Sequence, residues 1–365
     1  MKVPRFSLIT FFLILLNLTL FYKLHFFLPQ LSGQAQLLDL ETYLRLINDI
    51  KSGINPYTVT YMQSLGPPTV FFYFLPFSIF NIQTAKLLFT LVNISCGFAM
   101  CHLLTRALFK NKLNWFLLLT LLFFSSFPAR FSVEMGQPNL VICFLISLLI
   151  RRPKTKYLSV ILSSILIIKT YYLISLIPLV KNNLGVVIKT LLIVFLLSMS
   201  LLSVVKPSAY SYYLTQKTGV FLPKATNKAF DYYNQSIPAK FAALGFENFT
   251  IPAYLILVLL IFWQIFKSQN LILGILASII ISPVSWQHYF AVLFPIFVYT
   301  LIKTKGSDRI LPLFAFLLYW IEFPFLHSVQ ANFFTILLSS HFLISAAILF
   351  LIVSKNISVT HPASK

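Results

Sequence analysis

The chain has 365 residues, 58% of them hydrophobic, with 28 Lys and Arg against 8 Asp and Glu and a formal net charge of +20. A mean hydropathy of +0.86 excludes an ordinary soluble domain. The charge does not indicate a nucleic-acid binder, because the basic residues fall in small groups between apolar runs, where Lys and Arg mark the cytoplasmic ends of membrane spans or attract anionic lipid.

Apolar runs recur along the whole length, which predicts an all-α polytopic membrane protein of about 12 transmembrane helices and a single membrane domain over residues 1–365. The first run, about 7–28, follows Lys2 and Arg5. It is longer than a signal-peptide core and has no clean cleavage site, so it reads as an uncleaved helix with a cytoplasmic N-terminus. It delivers residues 29–68 to the outer face as a long first loop, which holds three of the acids, Asp39, Glu41 and Asp49. Residues 69–80 are apolar but too short to cross and contain Pro76, which suits a re-entrant or interfacial segment.

Spans at 84–105, 113–128 and 138–150 follow, with Arg106, Lys110 and Lys112 inside and a short outer turn from Arg130 to Gln137. Arg151-Arg152-Pro-Lys154-Thr-Lys156 is the strongest cytoplasmic anchor. One helix over 158–180 would bury Lys169 unpaired at its centre, at about 2.5–3.5 kcal/mol or more. Two short helices turning near Lys169 avoid this and return Lys181 and Lys189 to the cytoplasm. The remaining spans are 186–205, 251–266, 270–282, 287–302, 310–326 and 332–353, with a second outer loop at 206–250. Cys96, Cys101 and Cys143 lie in apolar runs without CxxC spacing, and His102, His327 and His341 show no ligand spacing, so no metal is expected.

This map brings residues from distant parts of the chain to one outer face. They are Asp39-x-x-x-Tyr43 with Gly53-x-Asn-Pro-Tyr57, then Gly66-Pro-Pro68, Gly136-Gln137-x-Asn139 preceded by Glu134, Lys169-Thr, Asn234-Gln235-Ser236, and Ser282-Pro-x-Ser-Trp286-x-His288. In this order the motifs resemble glycosyltransferase family 87, membrane mannosyltransferases of the GT-C fold that use polyprenyl-phosphate mannose. Three positions depart from that pattern: Gly66 replaces a Tyr, Lys169-Thr lacks a Pro, and Gln287 replaces an Asp.

The resemblance implies an inverting transfer of a hexose, mannose foremost, from a polyprenyl-phosphate donor to a lipid or glycan acceptor, on the extracytoplasmic side of the cell membrane and without a cofactor. It also implies that Asp39 is the general base. Displacement at an anomeric carbon needs such a base for the acceptor hydroxyl and cations for the departing phosphate. Lys169, His288 and Arg130 are the phosphate candidates. Glu41, Tyr43, Glu134, Gln137, Asn139, Asn234, Gln235 and Trp286 are candidates for sugar or acceptor. Each has a plainer reading: Asp39 as a helix cap, Lys169 as a snorkelling side chain, Trp286 as an interfacial anchor, Arg130 as a surface residue, Glu134, Gln137 and Asn139 as loop stitching. Two rival readings of the whole remain, a transporter or flippase of a lipid-linked or small anionic substrate and an inactive membrane scaffold. Gln287 keeps the second open.

Overall fold

The computed structural model describes residues 8–23, 37–55, 68–109, 112–151, 156–201, 233–282, 285–323 and 332–356, with positions 207, 211 and 326. The regular structure of the described residues is helical, apart from one isolated antiparallel bridge between Asn234 and Trp286. Helix α1 is Leu8–Lys23, α2 Leu38–Lys51, α3 Ile82–Leu108, α4 Lys112–Ser125, α5 Phe127–Glu134, α6 Asn139–Arg151, α7 Leu158–Ile168 and α8 Leu184–Leu201. Then follow α9 Ile237–Ala243, α10 Glu247–Ser268, α11 Leu271–Ile280, α12 Leu293–Lys303, α13 Ile310–Trp320, α14 Phe333–Ser339 and α15 His341–Asn356. Residues 56–67 and 212–232, which include Tyr57, Gly66 and Asp231, lie outside the described residues.

Among the described residues, three helices are long and apolar enough to cross a membrane, Ile82–Leu108, Leu184–Leu201 and Thr250–Ser268. Two further pairs qualify when each is taken as one bent span: α4 with α5, bent by 64°, and α14 with the greater part of α15, bent by 59°. The α4–α5 bend falls at Ser126, whose hydroxyl bonds back to the Phe123 carbonyl at 2.7 Å, just before Pro128. Arg130–Gln137 is therefore not a simple turn, since helix continues to Glu134. Lipid-like surface is plain on α10, where Leu255, Ile256, Leu259, Leu260 and Trp263 are exposed, and on α8 and α13. A water-facing monomer rarely shows contiguous apolar patches of this kind.

The chain reverses at Lys169. Its backbone is extended (φ −144°, ψ 101°), ending α7, and a tight 3-10 segment, Thr170–Leu179, leads away. Ser159 and Ser163 of α7 donate to the carbonyls of Val186 and Thr190 of α8, at 3.4 and 3.2 Å. Both partners advance by four residues, so α7 and α8 run parallel with the 3-10 segment returning between them. That places Lys169 at a break rather than inside an unbroken helix. Gly274 of α11 lets the 3-10 segment approach: a Cβ there would meet Pro178 Cγ and Ser175 Cα at 2.9 Å. Small residues permit such close backbone contact where lipid supplies no hydrophobic drive.

Helices α6, α7, α11 and α12 contain 13, 11, 10 and 11 residues. Each has a basic residue at or near one end (Arg151, Lys156, Lys267, Lys303) and a motif residue at the other (Asn139, Lys169, Ser282, His288). At a rise of 1.5 Å per residue the motif residues gather about 15–20 Å from the basic ends.

A second core forms around α2. Its buried face, Leu40, Tyr43, Leu44, Ile47 and Ile50, packs on Val70, Phe71 and Phe74 and on Phe89 of α3. Tyr43 stacks on Phe74 at 4.2 Å, and Phe74 on Phe89 at 5.7 Å. Residues 68–79 thus form a short helical stretch wedged between α2 and α3.

Substituting Gly274 by Leu forces α11 off the Thr170–Leu179 segment, and we expect a melting temperature in detergent lowered by roughly 2–8 °C. Gly185→Ala on α8, where nothing lies within 4 Å of the new Cβ, leaves it unchanged.

Candidate active site

The site is built on the N-terminus of α2. Leu37 adopts a left-handed conformation (φ 44°) and Asp39 and Glu41 occupy the first turn, where the helix dipole favours carboxylates. The Asp39 amide donates to the Met135 carbonyl at 3.0 Å, tying α2 to the connection between α5 and α6. That connection turns at Gly136, with φ +72°. A Cβ on Gly136 would lie 2.8 Å from Leu40 Cβ and 3.1 Å from the Leu40 nitrogen. Glycine is required twice here, for the positive φ and for the approach of α2.

The turn places Gln137 beside Asp39. Its Nε2 donates to Asp39 Oδ2 at 2.5 Å, and its Oε1 accepts from Lys169 Nζ at 2.9 Å. One amide thereby joins a carboxylate from the first loop to an ammonium at the α7 break. Burial raises the Asp39 carboxyl above the usual carboxylate range, while the Gln137 hydrogen bond and then the Lys169 charge oppose the rise. Lys169 Nζ also lies 3.8 Å from the centroid of the Tyr289 ring. Tyr289 stacks on Tyr171 at 5.5 Å and meets His288 edge-on at 4.7 Å. His288 is 3% exposed, and neither ring nitrogen has a hydrogen-bond partner among the described residues.

Other motif residues hold this group in place. Asn139 Nδ2 donates to the His288 carbonyl at 3.0 Å and to Ser132 Oγ at 3.1 Å, fixing the 3-10 segment Gln287–Val292 against α5. The Asn234–Trp286 bridge is closed by bonds from Gln235 N to Ser285 O at 2.6 Å and from Gln287 N to Tyr233 O at 3.0 Å. Gln235 Nε2 reaches the Ser339 carbonyl at 2.6 Å, and Asn234 Oδ1 accepts from the Ser236 amide. Tyr233 stacks on Phe131, which also packs on His288 at 5.4 Å.

Some expected residues stand elsewhere. Arg130 pairs with Glu322 at 2.9 Å, beside Glu134, so its charge is already engaged. Glu41 bonds Arg45 at 2.8 Å and Lys86 at 3.4 Å rather than joining the Asp39 chain. Its partial burial would raise the carboxyl, but these cations outweigh that and hold it low. Tyr43 belongs to the α2 core. Sequence reasoning missed Tyr289, although its place directly after His288 was a usable signal, and missed Glu322, whose run carries none.

A helical protein with several apolar, span-length helices, and a buried carboxylate joined to a lysine through an amide, defines a membrane protein with a candidate acid–base site. A family model, Glycosyltransferase family 87, matches residues 65–283, more than half of the chain. The chain belongs to that family and is a membrane glycosyltransferase. Gln137, Asn139, Lys169 and Asn234 lie inside the matched region; Asp39 and His288 lie outside it and join the site through the contacts above. No curated protein and no solved structure matched the chain.

Gln137→Leu removes a group that stabilises the Asp39 carboxylate, so its pKa moves further up. Where the carboxylate is the active form, the acidic limb of the pH–rate profile moves to higher pH, and kcat falls about 10–100-fold. Gly136→Ala lowers activity by a comparable factor by displacing α2, an effect read from initial rates of sugar transfer.

Proposed function

We propose that this glycosyltransferase moves a hexose, mannose foremost, from a polyprenyl-phosphate donor to a lipid or glycan acceptor on the extracytoplasmic side of the cell membrane. The reading takes the shorter apolar helices as further crossings, about 12 in all, in a GT-C-like bundle whose outer rim carries the site. The observation that carries it is the Asp39–Gln137–Lys169 chain. A general base and a phosphate-binding cation are held together there.

Asp39 takes the proton of the acceptor hydroxyl as its oxygen attacks the anomeric carbon. The bond from that carbon to the phosphate oxygen breaks, the electron pair leaves with the polyprenyl phosphate, and the configuration inverts. Lys169 faces the developing phosphate charge as a point cation. His288, with both ring nitrogens free of partners among the described residues, supplies a donor to the same phosphate. No metal or cofactor enters this scheme. Asn139, Asn234, Gln235 and Trp286 act by holding the segments, and Arg130 is engaged by Glu322.

The test uses membranes containing the protein and radiolabelled polyprenyl-phosphate mannose. Asp39→Asn abolishes label transfer, by about 10²–10⁴-fold, while donor binding persists. Lys169→Met weakens donor binding. Transfer by Asp39→Asn at the parent rate would remove the carboxylate from the mechanism.

A further inference from the structure

The Lys169 ammonium has three N–H donors. One goes to Gln137 Oε1 at 2.9 Å, and the ring of Tyr289 lies 3.8 Å away. The lysine stands at a break in the backbone, where its stem is not locked by a helix. A flexible four-carbon stem there would let the charge wander, and it is confined from two sides: by the amide of Gln137 and by an aromatic face. The Tyr289 ring is itself fixed, stacked on Tyr171 at 5.5 Å and packed edge-on against His288 at 4.7 Å. The backbone carbonyl of His288 is in turn anchored by Asn139 at 3.0 Å. One ring therefore stands between the two groups nominated for the donor phosphate and sets the spacing between them.

We propose that Tyr289 is a positioning residue that holds the Lys169 ammonium against its ring face by a cation–π contact, with Tyr171 as its backing, so that the remaining N–H is presented to an oxygen of the donor phosphate. The phosphate half of this proposal rests on the function proposed above, whereas the contact between Tyr289 and Lys169 does not. A cation over an aromatic face is attracted by the ring quadrupole, and Phe offers that face as well as Tyr does within a factor of a few. The hydroxyl is not needed for holding the ammonium. A direct acid or donor role for Tyr289 would instead require that hydroxyl.

The experiment compares Tyr289→Phe and Tyr289→Leu in the purified full chain by two readouts, each completed as a double-mutant cycle with Lys169→Met. The first is the affinity for polyprenyl monophosphate. The second is thermal unfolding in detergent without ligand. Tyr289→Phe is expected within about threefold of the parent protein in affinity, and Tyr289→Leu about tenfold weaker. Adding Tyr289→Leu to Lys169→Met should then weaken binding no further, and the two substitutions should also couple in melting temperature. A Phe variant as weak as the Leu variant would overturn the proposal, because the hydroxyl would then be the working group. Additive effects in the melting cycle would overturn it as well. If Lys169→Met binds polyprenyl monophosphate like the parent while the melting cycle still shows coupling, the phosphate-binding reading of Lys169 fails and the holding role of Tyr289 stands.

Discussion

The site depends on a single amide. Gln137 donates to the Asp39 carboxylate from its nitrogen and accepts from the Lys169 ammonium at its oxygen. Of the neutral side chains, only Asn and Gln present two donors and a carbonyl acceptor at one end. A carboxylate in its place would set two negative charges side by side, and an apolar residue would leave both charges short of a partner in a poorly solvated place, where an unmatched polar group is expensive. Through this amide, loop 1 and the α7 break belong to one electrostatic unit although 130 residues of sequence separate their charges.

Much of the remaining structure serves to bring those three side chains together. Gly136 lets α2 come close enough for the Asp39 amide to reach Met135, and the aromatic stack of Tyr43, Phe74 and Phe89 fixes α2 on its other side. Parallel packing of α7 and α8 leaves Lys169 at the turn between α7 and the returning 3-10 segment. Asn139 and the Asn234–Trp286 bridge carry the His288 segment to the same place. Several of the motif residues are therefore structural in what they touch. In the proposed reaction the substrate contacts fall to fewer residues: Asp39, Lys169 and His288.

The all-helical class and the reversal at Lys169 were legible because the physics is coarse: apolar length, flanking cations and the penalty of a buried ammonium. The polar motifs were legible as a set, since a greasy chain places few hydrogen-bonding groups without reason. Their division of labour was not. Nothing in the sequence distinguishes Gln137, which touches both charges, from Asn139, which holds a backbone carbonyl. Asp39 and Glu41 look alike in the chain, yet two residues along a helix turn them to different faces, one toward Gln137 and the other toward Lys86. Arg130 reads as a free cation until Glu322, 192 residues later, is seen to pair with it. Tyr289 reads as one more membrane aromatic until Lys169 is found over its ring. Pairings of this kind arise from tertiary geometry, which apolar periodicity does not encode.

The central claim is that the Asp39 carboxylate and the Lys169 ammonium act as one catalytic unit in sugar transfer. The most direct measurement is the initial rate with labelled polyprenyl-phosphate hexose for Asp39→Asn, Lys169→Met and the double variant, in membranes matched for protein content. The account predicts that each single change collapses the rate and that the double variant is no slower than Asp39→Asn alone. Independent, multiplying losses, or a single variant working at the parent rate, would contradict it.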